Sequence, residues 1–172
     1  MASSSLAEIP DGTSVFIDAN VFIYHFSGPT PLSTACSAFL QRVEDGLLRG
    51  LTSTVVLIEV LHRLMVLEAV NAFLLQPREA MRYLKEHPQQ AKTLVAHQGV
   101  PEQVRRTGIE VVAVGFDEIE RSHEVKQRYG FLTNDAVVLA TMERAGITTL
   151  ASNDLDFERV ETISLYRPAA TA

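Results

Sequence analysis

The chain has a single cysteine, so no disulfide framework and no thiolate metal cluster can organise it. Cys36 lies in Leu32-Ser33-Thr34-Ala35-Cys36-Ser37-Ala38-Phe39 and reads as a small buried hydrophobe rather than a nucleophile, which fits a reducing, cytoplasmic setting. Uninterrupted apolar runs of membrane-spanning length are also missing. The most apolar stretch, Val55 to Leu75, is broken by Glu59, His62, Arg63, Glu68 and Asn71, so it reads as a core or interface helix and not a membrane span. Residues 1–12 lack the basic start and apolar centre of an export signal, and we read them as a flexible leader before a single domain over 13–168. Positive charge is scarce: 15 Lys and Arg against 21 Asp and Glu give a net −6. That excludes a protein that coats nucleic acid through bulk positive charge, but not chemistry on nucleic acid. The five histidines, His25, His62, His87, His97 and His123, show neither HExxH nor any paired ligand spacing, so the sequence does not suggest a zinc site.

The 172 residues, 47% of them hydrophobic, suffice for one domain with a core of its own. Short β-branched segments alternate with longer helical patterns, the signature of a parallel sheet covered by helices. Strands are expected at Ser14 to Asp18, Gly50 to Ser53, Ile109 to Val114, Thr148 to Ala151 and Ile163 to Tyr166, four or five in all. Helices are expected at Pro31 to Leu48 with Gly50 beyond the end, Thr54 to Phe73, Phe116 to Tyr129 and Asn134 to Ala145. The second of these is apolar nearly all round, so it needs cover from other helices, a second copy or a partner. Pro77, Pro88 and Pro101 cut the middle into Arg78 to His87, Gln89 to His97 and Glu102 to Thr107, a helical insertion around Asn71 to Thr107.

Four carboxylates stand where carboxylates are locally unwelcome. Asp18 closes Val15-Phe16-Ile17, Glu59 interrupts Thr54-Val55-Val56-Leu57-Ile58, Asp135 opens Ala136-Val137-Val138-Leu139-Ala140, and Asp154 follows Thr149-Leu150-Ala151-Ser152-Asn153. Burying such groups is costly unless something positive holds them. Sites in parallel sheets form beyond the carboxyl ends of the strands, and Asp18 and Asp154 both fall there. Val138, Leu139 and Met142 follow Asp135 on one helical face, so Asp135 should point inward. Hard oxygen donors without histidine or thiol suit magnesium or manganese, and carboxylate-held ions can drive a phosphodiester displacement by water.

The segments Val15-Phe16-Ile17-Asp18-Ala19-Asn20-Val21-Phe22-Ile23, Thr52-Ser53-Thr54-Val55-Val56-Leu57-Ile58-Glu59-Val60, Thr133-Asn134-Asp135-Ala136-Val137-Val138-Leu139-Ala140-Thr141 and Leu150-Ala151-Ser152-Asn153-Asp154-Leu155-Asp156-Phe157 resemble the PIN-domain nucleases, in particular their VapC-type toxin branch. The blocks come in the family's order and span nearly the whole chain. The resemblance implies a three-layer α/β/α fold with a central parallel sheet and a magnesium- or manganese-dependent endoribonuclease site. It implies that Asp18, Glu59, Asp135 and Asp154 are the acidic positions, that Asn20 and Ser152 orient them, and that Asp156 is a fifth acid able to hold a second ion. It also implies an RNA substrate, a homodimer and a cognate antitoxin. The chain departs from a compact toxin in its length, with the excess around Asn71 to Thr107.

Each acid also has an ordinary alternative. Asp18 can be a strand-end turn residue, Asn153 or Asp154 a cap for Leu155 to Val160, Asn134 a cap for the helix bearing Asp135, and Glu59 the partner of Arg63. Arg63, Arg105, Arg106, Arg121, Lys126 and Arg128 are candidates for an RNA rim, and Tyr24 and Phe26 for base stacking, although charged faces are usually only solvated. A haloacid-dehalogenase-type phosphotransferase would need an aspartate where Asn20 stands and so lacks its general acid. A non-catalytic scaffold would be expected to have lost one of the four acids.

Overall fold

A computed structural model describes residues 4–169. Six strands form one sheet in the order β1-β6-β5-β2-β3-β4: β1 (Ser4–Ser5), β2 (Ser14–Ile17), β3 (Arg49–Ser53), β4 (Glu110–Val112), β5 (Thr149–Ala151) and β6 (Ser164–Arg167). Every pairing is parallel. The helices are α1 (Ala19–Phe26), α2 (Ser33–Glu44), α3 (Thr54–Phe73), α4 (Pro77–Glu86), α5 (Pro88–Ala91), α6 (Val100–Arg106), α7 (Phe116–Tyr129) and α8 (Thr133–Ala145). Right-handed crossovers put the β2-to-β3 and β3-to-β4 connections on one face. The return from β4 to β5, which runs the opposite way, puts α7 and α8 on the other. The contacts agree, with α1 against α2 and α3, and α7 against α8.

The expected α/β fold with a central parallel sheet holds, with one strand more than expected. The extra strand corrects the reading of residues 4–12 as a flexible leader. Ser4 and Ser5 pair with Tyr166 and Arg167, and Ser5 and Glu8 form a reciprocal cap around the short turn Leu6–Glu8. Leu6 and Ile9 are buried in the main core, while Arg42 donates to the Leu6 and Ile9 carbonyls and pairs with Asp11. Two buried aliphatic side chains are enough to hold so short a segment. Residues 1–3 of the expected leader lie outside those described.

Two helix boundaries also differ. The helix α2 ends at Glu44 because Gly46 takes a left-handed conformation and Leu47 and Leu48 both donate back to the Arg42 carbonyl. Gly50 is therefore not its stop. Gly50 lies within β3, where a Cβ would stand 2.7 Å from Val43 Cγ1. The helix expected at Gln89 to His97 shrinks to the four-residue α5, because Glu68 on α3 accepts the amides of Val95 and Ala96 at 2.9 and 3.0 Å and so satisfies them outside a helix.

The first half of α3 feeds Val56, Val60 and Leu64 into the main core. Its second half leaves that core and packs Ala69 against Ala80, Leu84 and Leu94 in a separate small cluster. The end of α3 with α4 and the segment through Leu94 thus forms an arm with a small core of its own, while Val100 and Val104 on α6 return the chain to the main core. The all-round apolar character of α3 is only partly covered, since Ile58 is 66% exposed.

Candidate functional site

Going outward from β2, the chain moves to β3 on one side, while from β5 it moves to β6 on the other. The carboxyl ends of β2 and β5 therefore flank the switch point of the sheet, where crossovers diverge and leave a crevice. Ile17 pairs with Ala151, and the Asp18 amide donates to the Ala151 carbonyl at 3.0 Å. This puts Asp18 and the Ser152 to Asp154 loop side by side across 134 residues of sequence.

Asp18 caps α1. Its Oδ1 accepts the Ala19 amide at 2.7 Å, and its Oδ2 accepts Asn20 Nδ2 at 2.7 Å and Ser152 Oγ at 2.6 Å. Ser152 is fully buried, and its Oγ also accepts the Asp154 amide at 3.1 Å. Asn20 Oδ1 accepts the Asn153 amide at 2.9 Å, so Asn20 and Ser152 clamp the β5 loop to the Asp18 carboxylate. Asp154 caps the short helical turn Leu155–Arg159 by accepting the Asp156 amide at 2.8 Å. The capping alternatives for Asp18 and Asp154 thus hold together with their place in the cluster.

Asp135 is the third residue of α8, with Val138, Leu139 and Met142 buried beneath it as its spacing predicts. Asn134 does not cap that helix. It donates to Glu59 Oε2 at 3.0 Å, tying α8 to α3. The rival pairing of Glu59 with Arg63 is stretched to 3.9 Å, with Arg63 64% exposed, which leaves it little strength.

These acids feel one another. Burial lifts the Asp135 carboxyl to about 6, helped by the negative charges of Asp154, Asp18, Glu59 and Asp156. Burial lifts Asp18 to about 6 as well, opposed by the Ser152 and Ala19 hydrogen bonds and reinforced by Glu59 and Asp154. Asp156 is meanwhile paired with Arg159 at 2.5 Å. Among the described residues, no three acidic, histidine or cysteine side chains close around a single point. The carboxylates share a region in which each disfavours the charged form of the others. The donor set is all hard oxygen, with mutual repulsion that a divalent cation would relieve, so it fits magnesium or manganese.

Sequence reasoning missed the outer support. Asn153 Nδ2 donates to Tyr24 Oη at 3.0 Å, and Arg167 donates to Asn153 Oδ1 at 2.9 Å. Tyr24 therefore braces the loop and is not a free stacking platform. The position of Asn153 between two site residues was the only available signal. Of the six expected rim cations, Arg63, Arg105, Arg106 and Arg121 are engaged in ion pairs. A cavity of about 370 Å³ near Phe22, His25, Leu40 and Val104 is lined by none of the five acids.

Together these features define a parallel α/β protein with an acidic crevice at its switch point. Residues 15–163 match the PIN domain family, and the chain belongs to it. Two ribonucleases of Methanocaldococcus jannaschii are similar to it. VapC2 is 26% identical over 157 residues, 88% of this chain and 91% of its own length. VapC6 is 26% identical over 68 residues, 40% of this chain and only 44% of its own length. Among solved structures, a chain of the VapBC2 complex of Rickettsia felis bound to a promoter DNA fragment superposes with a TM-score of 0.58 at 13% identity, covering 90% of this chain and 98% of its own. VapC20 of Mycobacterium tuberculosis, a toxin that cleaves the Sarcin-Ricin loop, gives 0.57 at 19%, covering 88% and 98%. At these identities the superpositions speak for the fold.

Proposed function

We propose that this chain is a metal-dependent endoribonuclease, the toxin of a type II toxin-antitoxin pair, formed by a single domain that takes in β1 and the buried Leu6 and Ile9 as well as residues 13–168. The observation that carries the reading is the gathering of carboxylates at the switch point of the sheet, with Asp18 hydrogen-bonded to Ser152 beside Asp154 and Glu59 tied to Asn134 beside Asp135, whose carboxyl is raised by burial and then by the charges of Asp154, Asp18, Glu59 and Asp156. In this reading Asp18, Glu59, Asp135 and Asp154 are the catalytic acids and hold magnesium or manganese, with Asp18 and Asp154 the most direct, and Asp156 completes the metal-binding set. When bound, the ion supplies Lewis acidity at the phosphodiester. Asn20 and Ser152 fix the orientation of the Asp18 carboxylate through their hydrogen bonds to Oδ2. Asn134 fixes Glu59 across the crevice. In this reading water is the nucleophile and no covalent intermediate forms on a side chain.

The toxin reading is supported by the similar VapC ribonucleases, and the fold is shared with a chain of a toxin-antitoxin complex of Klebsiella pneumoniae, TM-score 0.55 at 19% identity. An antitoxin and a second copy of the chain are the proposed protein partners, and the exposed Ile58 on α3 is surface such a partner can cover. Among the described residues no helix is long and apolar enough to cross a membrane, and the buried free thiol of Cys36 fits a cytoplasmic location. A PIN-type nuclease of RNA processing or decay that is not a toxin is the second reading, and it would use the same acidic crevice.

The test is cleavage of a mixed cellular RNA pool by wild type and Asp18→Asn, each with manganese and with EDTA. Cutting that needs both the ion and Asp18 supports the proposal. Full-rate cutting by Asp18→Asn overturns it.

A further inference from the structure

The cations of this chain are unevenly spread. Residues 71–107 hold six of the 15 Lys and Arg but three of the 21 Asp and Glu. Six cations against three acids leave this segment at +3, and the rest of the chain, nine cations against eighteen acids, at −9. Pairing sharpens the contrast. Eight arginines are held in ion pairs with carboxylates: Arg42, Arg49, Arg63, Arg105, Arg106, Arg121, Arg144 and Arg159. Among the described residues, four of the seven cations outside those pairs lie between residues 78 and 92: Arg78, Arg82, Lys85 and Lys92. All four are exposed.

Arg78, Arg82 and Lys85 follow one another at four and three residues along α4, so they stand on a single stripe about 10 Å long. Ala80 and Leu84, half a turn away, are buried against the second half of α3. The stripe therefore faces outward by construction, with its back anchored in the small core of the arm. Like charges at this spacing cost a few tenths of a kcal/mol when left alone. The arm that carries them is joined to the acidic crevice by α3 itself, with Glu59 about 15 Å along the helix axis from Ala69.

An acidic crevice in a chain of net −6 repels a polyanion unless cations elsewhere offset it. We infer that Arg78, Arg82 and Lys85, with Lys92 at the end of the next helix α5, form a rail for the phosphate backbone of a polynucleotide strand, gripping it on the arm while the strand reaches the crevice. At about 3.4 Å of axial rise per phosphate, a 10 Å stripe faces about three successive phosphates. Guanidinium and ammonium groups without base-edge partners grip backbone and not sequence. The rail thus supplies affinity and leaves the choice of cut to the crevice. This inference rests on the nuclease reading of the crevice.

The experiment compares wild type with the triple variant R78Q/R82Q/K85Q. Equal melting temperatures first establish that the exposed changes leave the fold intact. Binding to fluorescein-labelled polyuridine RNA is then measured in EDTA across a salt series. Cleavage of the same RNA, and of a short oligonucleotide too small to span arm and crevice, is measured with manganese. The rail predicts that the triple variant binds ten- to a hundredfold more weakly at 0.1 M salt and loses about 2 from its log-log salt slope, at about 0.7 per phosphate contact on a single strand. It also predicts a raised KM with unchanged kcat on the long RNA, and no change on the short one. If wild type cuts RNA and the triple variant binds and cuts it identically, the rail is overturned and the crevice reading stands. If wild type binds polyuridine through the stripe but cuts no RNA, the rail stands and the nuclease reading falls. Stripe-dependent binding of polyglutamate in preference to polyuridine overturns the rail in favour of an acidic protein partner.

Discussion

Asp135→Asn should make the metal-free protein more stable, and the gain should depend on pH in a direction fixed by the structure. The folded protein holds the Asp135 proton up to about pH 6, against 3.8 for the ordinary group, chiefly through burial and then through four neighbouring acids. No hydrogen bond contributes to that shift, so asparagine forfeits no acceptor role that holds the carboxylate in place. A rise of this size corresponds to a ceiling of about 3 kcal/mol of destabilisation at neutral pH. Partial exposure and salt screening reduce it to about 1–2 kcal/mol. The folded state binds this proton more tightly than the unfolded chain does, so wild-type stability falls as pH rises from about 4 to 6, and the penalty is complete above 6. Thermal melts in EDTA should therefore put Asp135→Asn about 2–8 °C above wild type at pH 7.5, with the difference fading toward pH 4. Manganese should raise the wild-type midpoint more than that of the variant, narrowing the gap. A variant less stable than wild type at pH 7.5, or a gain that persists unchanged at pH 4, would refute the reasoning.

Ser152→Ala leaves Asp18 Oδ2 with only the Asn20 donor and frees the Asp154 amide, so manganese binding by calorimetry should weaken ten- to a hundredfold, with unchanged affinity speaking against the clamp. Leu6→Ala removes a side chain that is 1% exposed in the main core and should cost about 2–4 kcal/mol in denaturant unfolding, whereas a flexible leader would cost nothing. Gly50→Ala forces a methyl to within 2.7 Å of Val43 Cγ1 and should cost about 1–3 kcal/mol by the same measurement.

The alternation of β-branched segments with helical patterns carried the parallel sheet, because both faces of such a sheet are buried and its strands read as continuous apolar runs. The strand β1 was illegible for the opposite reason. Two serines carry no strand signal, and they pair only because Leu6 and Ile9 downstream anchor the segment. The end of α2 was misread because Gly50 and Gly46 both follow the helix, and only backbone geometry separates the glycine that turns the chain from the one that admits Val43. The acids were legible as anomalies, since each interrupts or bounds an apolar run. Their mutual reach was not, because Glu59 and Asp135 meet through Asn134, a contact across 75 residues that no local pattern encodes.

The two acids lifted to about 6, each chiefly by burial, are held very differently, and the difference suggests how the crevice works. Asp18 receives three hydrogen bonds, from the Ala19 amide, Asn20 and Ser152, which fix both of its oxygens before any cation arrives. The shift at Asp135 has only burial and repulsion behind it. A carboxylate already oriented loses little entropy on meeting a cation, whereas an unheld one must be drawn in by the charge itself. Asp18 is thus suited to set where an ion sits, and Asp135 to respond to it. Substitutions that loosen Asp18, such as Ser152→Ala, should then act mainly on ion affinity, while those that remove the repelled charge of Asp135 should act on both stability and turnover. The cost of keeping such a charge at the switch point falls on the metal-free fold, and that cost is what a bound cation would return.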